Sequence, residues 1–215
     1  MKRKTFILVF SGVVGILILS FYRKLWSFTS DSYLASCLLP QTAKSEWGER
    51  DVAYKYTDPN ACVLEFGGGS GSVSSVIQER LRNPSHHTVV QPVRGMHGGG
   101  VKLLRKNKTR CGYSFTIIPH ILKKGELNDP LAWRKAKLPC LPTLIVADCE
   151  GCLKGEHTKN PRLFDRVEMI QVERDDFRGE YDSLLKDTLG MKMVYQGPHF
   201  LLPRGVQVWE RDLPK

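Results

Sequence analysis

The residues best equipped for chemistry stand where short β-rich runs end. The first run leads into Val63-Leu64-Glu65-Phe66-Gly67-Gly68-Gly69-Ser70-Gly71-Ser72, an acid followed by glycines at 67, 69 and 71. Such a loop lets the backbone turn sharply and approach a ligand where a Cβ would clash. It does not fit a dinucleotide, whose G-x-G-x-x-G needs a third glycine. Ser72 stands there counting from Gly67, and Ser74 counting from Gly69. Further on, Asp148-Cys149-Glu150-Gly151 closes a fourth run and Glu173 closes a fifth. Carboxylates so placed can aim a nucleophile or remove its proton. Asp148 is the first candidate for that task, with Glu150 and Glu173 as helpers. The alternative for Asp148 is a cap on the following turn. His120, just past the third run, and His199, near the C-terminus, are weaker candidates for a base, since a lone histidine in such a place is more often structural.

The elements that must carry these residues alternate. Strand-like runs are read at Cys62–Phe66, Thr88–Gln91, Tyr113–Pro119, Thr143–Asp148 and Met169–Glu173. Between the first two, Ser72–Leu81 reads as a helix, with Val73, Val76, Ile77 and Leu81 on one face and Ser72 or Ser74 as its cap. The end differs. Met191–Gln196 and Val206–Glu210 are two more strand-like runs, joined by a Gly-Pro-rich connection without a helix, which reads as an antiparallel hairpin. The whole is an α/β, doubly wound, mostly parallel sheet closed by a hairpin. Ligands of such sheets sit beyond the carboxyl ends of the strands, and strand alternation puts Asp148 and Glu150 on one side.

This plan resembles the Rossmann-like class I methyltransferases. Their E-x-G-x-G-x-G spacing is matched from Glu65 to Gly71. An acid ahead of the loop also suits S-adenosylmethionine, a cationic sulfonium with a free amine, better than a pyrophosphate. More narrowly, Leu144–Gly151 is similar to the D-x-E-G of the FkbM-type methyltransferases, Met169–Glu173 to their fifth strand, and Leu103–Asn107 to a leucine-then-asparagine segment. Val90-Gln91-Pro92 is similar to their E-P, with glutamine in place of the acid. The resemblance implies that Glu65, Phe66, Gly67, Gly69, Gly71, Gln91 and Pro92 bind S-adenosylmethionine. It also implies that the acceptor is a hydroxyl on a glycan or small metabolite. Gln91 would hold the ribose through a neutral hydrogen bond, about half as strong as the charge-assisted bond it replaces; alternatively it only ends a strand before Pro92.

The remaining features concern location and partners. Thr5–Tyr22 is an uncharged apolar run of 18 residues flanked by Lys2, Arg3, Lys4, Arg23 and Lys24. It reads as one transmembrane helix of an uncleaved signal-anchor rather than a cleaved signal. The excess of basic residues before it places the N-terminus in the cytoplasm and the domain in a lumenal or extracytoplasmic space, endoplasmic reticulum or Golgi in a eukaryote. The expected organisation is an anchor over 1–24, a stem and lead-in over 25–60, and a methyltransferase domain over 61–215. Of the formal net charge of +10, five units belong to those flanks, leaving 27 basic against 22 acidic residues. What is left is a mildly basic domain, a slight argument for an anionic substrate, while the anchor, the lumenal topology and the absence of an N/D-P-P-Y/F motif oppose nucleic acid as a partner. Asn107-Lys108-Thr109 is an N-glycosylation triplet in a basic run read as an exposed helix end. Six cysteines permit disulfides without identifying the pairs, and the lone C-x-x-C at Cys149 and Cys152 is no zinc site. The rival function is a non-catalytic scaffold on a decayed methyltransferase fold, for which Gln91 is the argument.

Overall fold

The computed structural model describes residues 37–39, 42, 46–93, 100–135, 138–149, 151–174, 180–197 and 205–212. The apolar run Thr5–Tyr22 lies outside them. No helix among the described residues is long and apolar enough to cross a membrane.

Seven strands form one sheet: β1 (Val63–Phe66), β2 (His87–Val90), β3 (Thr116–Ile118), β4 (Leu144–Ala147), β5 (Met169–Glu173), β6 (Met191–Gly197) and β7 (Val206–Arg211), in the order β3-β2-β1-β4-β5-β7-β6. The first five are parallel and β7 runs antiparallel between β5 and β6. The expected sheet and hairpin are therefore present, with β5 at the bounds read in the sequence and the other strands shifted by a residue or more at one end or both. The five helices used below are α1 (Trp47–Tyr56), α2 (Ser72–Arg80), α3 (Gly100–Cys111), α4 (Pro130–Lys135) and α5 (Cys152–Lys159).

Strands β1 and β4 are buried on both faces, which is why β4 reads as an unbroken apolar run and β1 is apolar but for Glu65. Leu64, Phe66, Ile145, Ile170 and Val172 join the larger core on one face. Val63, Leu144 and Val146 turn to the other face, under α2 and Ala53 of α1. The same alternation puts Glu65, Asp148, Gln171 and Glu173 on this second face.

α1 holds by ordinary means: a first-turn Glu49, a last-turn Lys55 that suits the helix dipole, and an Asp51–Lys55 pair at 2.7 Å. Its Val52 packs on Val206 and Val208 of β7. Its cap is less ordinary. Glu46 has φ 56°, the one positive value outside glycine among the described residues, a conformation costing about 1–2 kcal/mol. α2 departs from expectation. Gly71, left-handed at φ 93°, is its N-cap and makes no side-chain cap bond. Ser72 and Ser74 point their hydroxyls elsewhere, to Glu46 at 2.5 Å and to Glu65 at 2.7 Å.

All six cysteines pair, as Cys37–Cys111, Cys62–Cys140 and Cys149–Cys152. The first two close loops of more than 70 residues, each restricting the unfolded chain by about 4 kcal/mol on the loop-entropy estimate. Asn107 corrects the glycosylation reading. It lies inside α3, 1% exposed, and its Nδ2 donates to Thr42 Oγ1 and to the Ser70 carbonyl of the glycine loop, both at 2.8 Å. Its Oδ1 accepts from Leu39 N at 3.3 Å. The nitrogen a glycan would need is thus buried and doubly used.

Two outcomes follow from this packing. A Cβ at Gly67 would stand 1.6 Å from the Asp148 carbonyl oxygen, at φ +88°, so Gly67→Ala forces β1 and β4 apart. We expect it to destabilise the domain by about 3 kcal/mol in denaturant titrations. Asn107→Ala strands a buried carbonyl and a hydroxyl. It should cost about 1–3 kcal/mol in the same measurement, and the wild-type chain made in a secretory host should show no glycosidase-sensitive shift at this position.

Candidate active site

The site begins with the ladder carried past the strand ends. Gly67 N donates to the Val90 carbonyl and Asp148 N to the Phe66 carbonyl, each at 3.0 Å. The glycine loop therefore leaves β1 clamped between its two neighbours. Gly67 is required by the Asp148 backbone, as above. Gly69 differs: at φ +48° its added Cβ would meet only the end of the Glu46 side chain, at 3.4 Å, and the Gly67 carbonyl at 3.9 Å. The space above Gly69 is what a ligand would use.

Gln91 supports this loop directly. Its Oε1 accepts from Gly69 N at 2.7 Å, its Nε2 donates to the Pro92 carbonyl at 3.4 Å, and the residue is buried. The neutral side chain thus fixes the loop conformation with the oxygen expected to face a ribose. Pro92 follows the strand in a half-buried position. Phe66 offers a ligand no side chain, since its ring is part of the core on the far face.

Glu65 belongs to a buried polar chain. Its Oε2 accepts from Ser74 Oγ at 2.7 Å and faces His87 Nε2 at 2.9 Å. Gln78 orients the histidine. Its Oε1 accepts from Ser114 N at 3.0 Å, so its Nε2 is the donor to His87 Nδ1 at 3.1 Å. His87 is thereby assigned as the tautomer with its hydrogen on Nε2, donating to Glu65.

Glu65 also lines a narrow cleft, partly open to solvent and with room for little more than a water-sized group, between α1 and the carboxyl ends of β1, β4 and β5. Its other polar lining groups are Glu49, Asp148, Gln171 and Glu173, and Val52, Val146 and Val206 form apolar walls. Register explains the grouping. Glu65 pairs with Val146, which pairs with Gln171, so Asp148 and Glu173 fall together one level higher. α1 then lays Glu46 and Glu49 over them. Burial pushes the Asp148 carboxyl far up, helped by its hydrogen bond with Glu173 and by the charges of Glu173, Glu46 and Glu49. Asp148 and Glu173 therefore share a proton across that hydrogen bond. Burial also raises Glu46, against the hydrogen bond from Ser72. It raises Glu49 to about 8, against its own backbone hydrogen bond and the charge of Arg50.

Of the expected catalytic residues, then, Asp148 and Glu173 meet. His120 does not join them: half-exposed, it pairs with Glu126 at 2.7 Å in the turn after β3. Glu150 and His199 lie outside the described residues. Sequence reading missed Glu46 and Glu49. They precede the glycine loop on a helix whose relation to β4 and β5 no spacing reveals. The one sequence signal was an acid at the helix start.

No family model and no curated protein matches this chain, so the FkbM-type resemblance is carried by its motifs alone. Solved structures do match. Sp1610 of Streptococcus pneumoniae, a candidate tRNA (m1A22) methyltransferase in complex with S-adenosyl-L-methionine, is similar over 77% of this chain and 73% of its own, at 13% identity and TM-score 0.56. The precorrin-6y C5,15-methyltransferase of Geobacter metallireducens GS-15 is similar over 84% of this chain and 93% of its own, at 12% identity and TM-score 0.53. TrmK of M. capricolum, in complex with S-adenosyl-homocysteine, is similar over 76% and 67%, at 6% identity and TM-score 0.54. The chain has the α/β Rossmann-like fold of S-adenosylmethionine-dependent methyltransferases, with a mostly parallel sheet and antiparallel C-terminal strands.

Proposed function

We propose that this chain is an S-adenosylmethionine-dependent methyltransferase. The observation that carries the reading is the glycine loop, set in left-handed turns and held to Gln91, with open space above Gly69 and two paired carboxyl groups beside it. The cofactor fits on chemical grounds. It is a cation, and the groups around the loop are acids. Gly69 would admit it, Glu65 and Glu46 would face its positive end, and Gln91 would keep the loop in shape. When bound it supplies a methyl group on a positively charged sulfur. The chain's own task is to aim a nucleophile at that methyl in line and to take up its proton. The Asp148–Glu173 pair, which already shares one proton, is the acceptor of the incoming one.

The finer readings are also proposals. The motif resemblance favours a hydroxyl acceptor on a glycan or small metabolite. For location, the complete pairing of the cysteines is the supporting observation, since disulfides persist in oxidising compartments. With the apolar run Thr5–Tyr22 it argues for an anchored domain facing a lumenal or extracytoplasmic space.

Calorimetric titration of the purified domain with S-adenosylmethionine tests the main reading. We expect binding by the wild type and at least a tenfold loss in Gly69→Ala, whose left-handed alanine costs the fold only about 1–2 kcal/mol. Equal affinity in the two proteins would remove the ligand from this loop.

The acids predict a pH dependence. A carboxyl raised by burial contributes stability that is fully present below its ordinary value and lost as pH rises through the raised value. For Glu49 the window runs from about 4.5 to about 8. The ligand-free domain should therefore melt at a lower temperature near pH 8 than near pH 5. Glu49→Gln should lose about 2–4 °C less over that interval for each kcal/mol relieved. Parallel melting curves for the two proteins would contradict the assignment.

A further inference from the structure

The cleft under α1 has a one-sided chemistry. Its polar lining is Glu49, Glu65, Asp148, Gln171 and Glu173, and no lysine or arginine is among the lining residues. Arg50 of α1 acts electrostatically on Glu46 and Glu49 but does not line the cleft. Gln171 supplies an observation independent of the acids. The residue is 2% exposed, its Oε1 has no hydrogen-bond partner, and its Nε2 has only Met169 Sδ at 3.9 Å. Leaving a buried amide oxygen unpaired costs about 1–3 kcal/mol, and the residue that carries it lines the cleft. An apolar residue of the same shape would serve packing alone at least as well. Gln171 and Glu173, two apart on β5, present an amide oxygen and a carboxyl on one face, and Asp148 lies level with Glu173 on β4.

A group matching this lining must be small, positively charged and rich in N–H donors. A neutral hydroxyl has one hydrogen to give and no charge to offset the acids. A quaternary ammonium has no hydrogen to give and is ordinarily held by aromatic faces; the lining contains no aromatic ring. An ammonium with two or three N–H bonds can donate to Gln171 Oε1 and to the carboxyls together, and such charge-assisted bonds are roughly twice as strong as neutral ones.

We propose that this cleft is an ammonium-binding subsite and that the acceptor it presents for methylation is a primary or secondary amine. The acceptor assignment rests on the methyltransferase reading above and stands in place of the hydroxyl acceptor that the motif resemblance favours; the subsite does not rest on that reading. In the reaction the ammonium gives one proton to the Asp148–Glu173 pair. The freed lone pair forms the new N–C bond to the methyl while the methyl–sulfur bond breaks, its electron pair remaining on sulfur. The positive charge passes from sulfur to the methylated nitrogen. Gln171 acts as a positioning residue, holding a second N–H so that the lone pair points at the methyl.

The cofactor carries an ammonium of its own, so the test must separate the two sources. The probes are n-butylamine, with n-butanol as its neutral counterpart, titrated calorimetrically into the whole domain with and without saturating S-adenosylhomocysteine. We expect butylamine to bind at least tenfold more tightly than butanol, and to do so equally well with S-adenosylhomocysteine present. Gln171→Leu and Glu173→Gln should each weaken butylamine at least tenfold, with a melting temperature no lower than wild type and an unchanged S-adenosylhomocysteine affinity. Equal binding of amine and alcohol overturns the subsite. Competition between butylamine and S-adenosylhomocysteine overturns the acceptor assignment, because the cation would then be the cofactor's. Should either variant fail to fold, the wild-type comparison of amine with alcohol decides the matter alone. Failure of S-adenosylhomocysteine to bind, with butylamine still held, would refute the methyltransferase reading and leave the subsite standing.

Discussion

The crowding of carboxyl groups beneath α1 is the constraint on which the carboxyl edge of this sheet depends. Four acids, Glu46, Glu49, Asp148 and Glu173, act on one another in a poorly solvated space. Isolated buried charge is costly, and like charges within a few ångströms cannot all stay ionised. The chain meets this by holding a proton between Asp148 and Glu173, by the Ser72 bond to Glu46, and by Arg50. These measures reduce the cost without removing it. A fold shaped for stability alone would place valine or leucine at these positions, as it does at Val52, Val146 and Val206 alongside. The acids persist in the one region that the glycine loop also borders, which is the usual signature of a working site.

A few ångströms away, Glu65 shows the opposite solution. It is buried more deeply than Glu46, Asp148 or Glu173, yet Ser74 and His87 satisfy it, and Gln78 and Ser114 fix the histidine. Fully satisfied networks of this kind make a core specific and rigid. Here the network ties β1, α2 and β2 together below the glycine loop. Gln91 and Asn107 hold the loop from above and beside it through Gly69 N and the Ser70 carbonyl. The loop thus owes its shape to side chains on β2 and α3, so it is preorganised before any ligand arrives. A rigid loop and an electrostatically strained acid cluster side by side are compatible with catalysis in which charge, more than motion, is the resource.

The disulfides extend this logic outward. Cys37–Cys111 fixes the segment before α1 to the end of α3, near where Asn107 bonds Leu39 and Thr42. Cys62–Cys140 braces the start of β1 against the approach to β4. Cys149–Cys152 closes the turn between Asp148 and α5. Each lies beside an element that positions the cleft, so the covalent links and the site draw on the same framework.

Much of this was legible along the chain. Period and composition determined the strands, because a residue's place on a pleated sheet depends on neighbours one and two positions away; β5 appears at Met169–Glu173 as read. The hairpin and the glycine loop were legible for the same local reason, as were Asp148 and Glu173, which end their strands. Tertiary structure decided whatever depends on distance between elements. Gln91 turns to Gly69 because β2 lies beside β1, a fact no spacing states. Asn107 is buried because α3 packs over the loop, although its triplet reads as a surface signal. Glu46 and Glu49 enter the site because α1 crosses β4 and β5, a hundred residues later in the chain. The cysteine pairs were open because six cysteines allow fifteen arrangements, and only the folded backbone brings particular Cα atoms within bonding distance. Local physics wrote the elements and the candidate acids; the low dielectric that gives those acids their chemistry exists only once the elements pack.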